Sequence, residues 1–200
     1  MDTYADYEAL ERNEKEGKDF LALWRQTDSP LAVIAPHGGS IEPGTVDIAD
    51  AVAGGDHSFY AFRGIKKSGN RMLHMSSDRF DEPKGMAIAR KAHVVLTLHG
   101  CKGTEETVFL GGRNQVLIER IRSRLNAAGF HASNSRHPGL RGHSAENICN
   151  RCQSGQGVQL ELSRGLREAL FLHLSQRSRR IRSPRFGPFV ATLRMALSSV

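Results

Sequence analysis

Two stretches decide the fold: LAVIA at Leu31–Ala35, running into Pro36-His37-Gly38-Gly39, and VVLTL at Val94–Leu98, running into His99-Gly100. Each is a short continuous apolar run bounded by turn residues, and the second is rich in β-branched side chains. Each therefore reads as a buried β-strand. Each also ends the same way, with a histidine at its carboxyl end followed by glycine.

Working outward, helical and strand patterns alternate. Glu42 to Ala53 reads as a helix stopped by Gly54-Gly55, Ser58 to Phe62 as a strand, and Glu82 to Ala92 as a helix. Asn114 to Ala128 is amphipathic, with Val116, Leu117, Ile121 and Leu125 at helical spacing and Gly129 as a C-cap. Phe130 to Ala132 begins another strand, and Ser144 to Ile148 reads as a short helix. Gly157 to Leu162 is a strand followed by helix from Ser163, and Pro188 to Leu197 reads as a last helix. This alternation predicts an α/β class protein, a single-domain open sandwich with a central mixed, largely parallel β-sheet flanked by helices. In such sheets ligands gather at the carboxyl ends of the strands, so the two histidines stand where chemistry is expected.

Length and composition agree with one domain over residues 1–200. The chain has 39% hydrophobic and 24% charged residues, which excludes wholesale disorder. No run approaches the ~20 apolar residues of a membrane span. The opening segment, residues 1–18, is acidic and lacks the pattern of a signal peptide, so a cytoplasmic protein is expected, reaching the outside by lysis. Three cysteines make no disulfide framework. Cys149-Asn-Arg-Cys152 has no second CxxC to complete a zinc ribbon, and it reads as packing or an incidental dithiol.

The net charge is +7, of which the arginine-rich stretch Arg177–Arg185 carries +5. Either this marks a polyanionic partner, a nucleic acid or an acidic polymer, or it is a solvated arginine face. Walker, GxGxxG and GxSxG patterns are all missing, which disfavours nucleotide-binding and serine-hydrolase chemistry.

The residues that remain suggest a metal. His37 and His99 on neighbouring parallel strands would meet at one rim, and Glu42 follows five residues after His37. Two imidazoles and a carboxylate form a hydrolytic zinc set with one position left for water. The plainer alternative is a pair of hydrogen-bonded structural histidines, with Glu42 placed at a helix start by the dipole. In Gly157–Leu162, Gln159 and Glu161 share one face and Val158, Leu160 and Leu162 the other. Glu161 therefore stands near the same rim, where a carboxylate can take a proton from water and pass it to a leaving amine. Among the arginines, Arg113 in Gly111-Gly-Arg-Asn114 is a candidate to polarise a scissile carbonyl, while Arg79, Asn114 and Arg164 are candidates to hold substrate. Asn114 is equally suited to cap the helix that follows it.

The motifs APHGGSIEPGT (residues 35–45), Leu98-His-Gly100, Gly111-Gly-Arg-Asn114 and GVQLELS (residues 157–163) resemble the poly-γ-glutamate hydrolase family of bacteriophages and bacteria, members of which have also been labelled phage-related replication proteins. The resemblance runs in order from about Leu31 to Arg167. It implies a zinc carboxypeptidase-like fold, one Zn2+ per chain on His37, Glu42 and His99, and a catalytic carboxylate at Glu161. It also implies hydrolysis of γ-glutamyl amide bonds in a polyanionic capsule polymer. The free α-carboxylates of that polymer would suit Arg113, Arg79 and Arg164. A monomer without membrane contact is expected. Two other readings stay open: a metal-dependent deacylase of small acidic N-acyl amino acids, and a basic nucleic-acid-binding protein that uses Arg177–Arg185.

Overall fold

In the computed structural model, which describes residues 2–198, the two deciding stretches are adjacent parallel strands. In chain order the helices are α1 (Tyr7–Asn13), α2 (Thr45–Ala53), α3 (Pro83–Lys91), α4 (Gln115–Ala127), α5 (Arg164–Leu170) and α6 (Phe186–Leu197). The main strands are β1 (Phe20–Arg25), β2 (Leu31–Gly39), β3 (Ser58–Gly64), β4 (Val94–Gly100), β5 (Thr107–Gly112), β6 (His131–Asn134) and β7 (Val158–Leu162). They form one sheet in the order β1-β3-β2-β4-β7-β5-β6. The central pairs β3-β2, β2-β4 and β4-β7 are parallel, as is β5-β6, while β1-β3 and β7-β5 are antiparallel. The α/β sandwich with a mixed, largely parallel sheet is the architecture the alternation implies.

Strand alternation divides the core into two layers. Val33, Ala35, Leu96, Leu98, Leu160 and Leu162 face α2, α4, α5 and α6. Ile34, Tyr60, Phe62 and Val95 face the side packed by Leu10, Phe20, Phe80, Met86 and Ile88. Truncating one such leucine to alanine costs ~2–5 kcal/mol, a large share of the ~5–15 kcal/mol that holds a typical domain. The strand ends are therefore carried on a rigid platform.

Several local expectations are corrected. The helix expected from Glu42 begins at Thr45, because Gly44 takes a left-handed conformation (φ 94°) and the Glu42 side chain is turned elsewhere. Ser144 to Ile148 is not a helix but a loop leading into a single 3-10 turn at Ile148–Asn150. Asn147 accepts from the Cys149 N–H and Asn150 donates to Ser144 and Gly142 carbonyls, side-chain bonds that compete with helix. Helix α1 and strands β1 and β5 were not apparent in the sequence pattern.

The arginine-rich stretch is built into the fold. It contributes β9 (Ile181–Arg182), paired with β8 (Phe171–Leu172). Arg180 bonds Asp47 at 2.8 Å and the Leu174 carbonyl at 2.8 Å, Arg182 lies over the Phe186 ring, and Arg185 pairs with Glu106. Three of the five arginines thus have partners within the fold. No helix among the described residues is long and apolar enough to cross a membrane.

Candidate active site at the carboxyl rim of the sheet

Alternation alone would put His37 on the face of Val33 and Ala35, away from His99. The pairing of β2 with β3 slips between Ala35 and Gly38, a bulge at Pro36-His37. Proline donates no ladder hydrogen bond, and a bulge re-aims the side chains after it. His37 therefore emerges on the face of Val95, Thr97 and His99. Gly39 closes the bulge at φ 69°, where a Cβ would sit 2.3 Å from the Gly64 carbonyl oxygen.

Three donor atoms converge there: ligand-capable atoms of His37, Glu42 and His99 all lie within 4.8 Å of one another. The Nδ1 atoms of the two histidines are 3.2 Å apart, and Glu42 Oε1 is 3.5 Å from His37 Nδ1. His37 Nε2 contacts the Met75 carbonyl oxygen, which only accepts. Nε2 therefore carries the ring proton, and the Nδ1 lone pair points into the cluster. The second oxygen of Glu42 accepts from the Gly100 N–H at 2.8 Å, which fixes the carboxylate. Ligands ~2.0–2.1 Å from a tetrahedral ion stand ~3.3 Å from one another, close to the spacings observed. His99 Nε2 is buried with no partner among the described residues, so the ring's polar engagement is on its Nδ1 side. The donor set of two imidazoles and one carboxylate fits zinc.

The electrostatics follow from burial. Burial, followed by the neighbouring His37, pushes His99 down to about 3, while Glu42 raises it only in part. Burial works to raise Glu42, but the charge and hydrogen bond of His37, with His99 and the Gly100 N–H, outweigh it and hold the carboxyl below its ordinary range.

Glu161 is one strand away, in register with His99. It is only 6% exposed, and Gln159 Nε2 donates to it at 3.0 Å. Burial, then the charge of Glu42, raises it well above the usual carboxylate range against the opposing pull of Arg167. A buried carboxyl with a shifted proton affinity beside a cluster that could hold a metal is a candidate for acid–base work.

A cleft of about 320 Å³ opens beside the cluster, lined among others by Arg71, His74, Lys102, Arg164 and Arg167. Arg164 thus stands where the sequence reading places it, although it also pairs with Glu168. Arg113 and Asn114 do not reach this rim. Strand β5 runs antiparallel to β7, so its carboxyl end lies beside Val158 at the opposite end of β7, ~10 Å along the strand from Glu161. Arg113 is exposed there, and Asn114 takes its alternative role by accepting from Leu117 N–H at the start of α4. Arg79 lies on an exposed turn outside the cleft lining.

Sequence reasoning missed Arg167, His74 and Asp2. Arg167 is buried and donates to the carbonyls of Leu162, Pro43 and Cys101 at 2.9–3.2 Å. Gly100 makes room for it, since a Cβ there would lie 2.7 Å from Arg167 Cζ. Three of its five N–H donors are used, so two remain. The signal was available: Arg167 follows the Glu161 strand by one helical turn. His74 stacks on His37 with ring centroids 4.1 Å apart, and its Nδ1 lies 2.8 Å from Asp2 Oδ1. Nothing local in the sequence links residues 2, 37 and 74.

An α/β sheet that carries at its carboxyl rim a His–Glu–His group able to hold a metal, with a buried carboxyl one strand over, has the layout of a hydrolase-type centre. Residues 4–192 match the poly-gamma-glutamate hydrolase family model, and the chain belongs to that family. The UPF0714 protein YndL of Bacillus subtilis (strain 168) is 35% identical over 195 residues, covering 96% of this chain and 76% of YndL. A structure of bacteriophage poly-gamma-glutamate hydrolase superposes with a TM-score of 0.94 at 32% identity, covering 100% of this chain and 98% of the other. A zinc-free apo structure of YndL superposes with a TM-score of 0.93 at 34% identity, covering 99% and 98%. A putative carboxypeptidase from Burkholderia mallei shares the fold alone, with a TM-score of 0.50 at 14% identity, covering 90% of this chain and 59% of the other.

Proposed function

We propose that the chain is a zinc-dependent hydrolase of γ-glutamyl amide bonds in poly-γ-glutamate. The observation that carries this reading is the juxtaposition of the His37, Glu42 and His99 donors with Glu161, in register with His99. His37, Glu42 and His99 would hold the ion, which when bound supplies Lewis acidity toward water and the scissile carbonyl. Glu161, as the carboxylate, accepts a proton from the attacking water and returns it to the leaving amine nitrogen, a role its place in register with His99 suits. Gln159 keeps the Glu161 carboxyl turned to one side through its 3.0 Å bond. Arg167, rather than Arg113, offers its two spare N–H groups to the developing oxyanion or to an adjacent carboxylate.

Substrate class follows from charge. The cleft wall carries Arg71, Lys102, Arg164 and Arg167, and its one carboxylate, Glu42, is turned to His37 and Gly100. A γ-linked polyglutamate presents one free α-carboxylate per unit to such a wall. Incubation with poly-γ-glutamate and, in parallel, α-linked polyglutamate tests the reading through chain-length analysis of the products. Shortening of the γ-linked polymer with the α-linked one intact is expected; an intact γ-linked polymer would reject it.

A further inference from the structure

The sheet carries a row of paired residues that leads away from the candidate metal cluster. His99 on β4 pairs with Glu161 on β7, Glu161 with Phe109 on β5, and Phe109 with Ser133 on β6. All four side chains therefore share one face. The helices packed against β5 and β6 are α4 and α5, whose buried apolar residues belong to the opposite layer. No helix among the described residues covers the end of this row; the loop through Leu140 and Arg141 crosses the same face against Gly111 and Gln159, and beyond it, at the β6 edge, lies a groove of about 730 Å³ lined by Phe109, Arg122, His131, Ser133, Arg136 and His137 among others.

The groove wall contains two arginines, two histidines and several hydroxyl and amide groups, but no carboxylate. Arg122 is held in place by Glu119. Arg136 is exposed and has no ion pair among the described residues. Strands are ~4.8 Å apart, so Ser133 lies ~10 Å from Glu161 across the sheet, within reach of a polymer chain seated at the cluster.

We propose that this groove is an extension of the substrate cleft that grips the acidic polymer on one side of the bond to be cut, with Arg136 as its principal anchor. The inference rests on the reading under Proposed function. A competing physical explanation is that these cations merely guard β6, a four-residue edge strand, against pairing with another chain. That role would be indifferent to substrate length.

The experiment compares wild type with Arg136→Glu, and with Arg90→Glu on the exposed face of α3 as a charge control. For each, kcat/KM is measured on long poly-γ-glutamate and on a short γ-glutamyl oligomer, with a thermal melt to verify folding. The ratio of polymer to oligomer kcat/KM is expected to fall about fivefold in Arg136→Glu and to stay at the wild-type value in Arg90→Glu. A wild-type ratio in Arg136→Glu, or equal losses on both substrates, would overturn the groove and leave the hydrolase reading standing. Failure of the wild type to cut either substrate would sink the hydrolase reading, and the groove with it. Binding of long polymer to Glu161→Gln, compared with the double variant Glu161→Gln/Arg136→Glu, gives a second readout; equal affinities would also overturn the proposal.

Discussion

His99 and Glu161 are register partners on adjacent parallel strands, a candidate metal ligand and a buried carboxyl held one strand apart. Their relation is set by the sheet, not by a loop. It makes the candidate acid–base group as rigid as the candidate metal ligand.

Replacing Glu161 by Gln keeps the shape and the Gln159 contact but removes the proton acceptor. We expect kcat to fall by ~10²–10⁴-fold, the usual contribution of a positioned acid–base group, while the bound metal stays. Parallel steady-state kinetics and elemental analysis check this. A variant that retains more than a tenth of the wild-type kcat would show that another group moves the proton.

Arginine roles separate by position. Asn114→Ala is expected to cost ~1 kcal/mol through loss of the cap on α4, with kcat unchanged, and Arg113→Ala to change neither. Arg167→Lys keeps the charge but loses the three-carbonyl fork, and should lower kcat/KM by ~10²-fold. Thermal melts and kinetics on the three variants decide it. A large activity loss in Arg113→Ala with an intact Arg167→Lys would reverse the assignment.

The metal-stripped protein carries a pH signature. His99 binds its proton at about 3 in the fold, below the ordinary 6.5 of the unfolded chain. A depressed folded value means that stability is complete above about 6.5 and drains as pH falls toward 3. The slope reaches at most ~1.4 kcal/mol per pH unit from this group. Melting temperature in chelator should therefore drop more steeply from pH 7 to pH 5 in wild type than in His99→Gln. Parallel curves would contradict the burial of a neutral imidazole.

Cysteine chemistry is expected to be silent. Cys149 is buried and its thiol is pushed far up by that burial; Cys101 is raised to about 11 for the same reason. Cys152 is buried as well. A thiol-reactive dye at pH 8 should label the native protein slowly and the denatured protein at three sites. Rapid native labelling at Cys149 or Cys152 would contradict this and point to a reactive CxxC.

The sequence reveals much of this, for reasons that are physical. Apolar runs ending in His-Gly mark strand ends because a buried strand needs continuous apolar residues and its rim needs room to turn. The face of Glu161 was legible because Gly157 to Leu162 alternates cleanly. Strand direction was not legible. Nothing in TVFLGG (residues 107–112) announces that β5 runs against β7, and that reversal carried Arg113 and Asn114 to the wrong end. Nor does alternation foresee the bulge at Pro36-His37, without which the two histidines would face opposite layers. Arg167 escaped notice because its role depends on three backbone carbonyls that only the folded rim brings together.

The proposed chemistry needs His37, Glu42 and His99 to hold one zinc ion on which cleavage depends. It is tested most directly by measuring zinc content and poly-γ-glutamate cleavage together, in wild type and His37→Ala, before and after exhaustive chelation. About one zinc per wild-type chain is expected, with zinc and cleavage lost together on chelation, both recovered on adding zinc, and neither present in His37→Ala. Undiminished cleavage by a protein stripped of metal would contradict it.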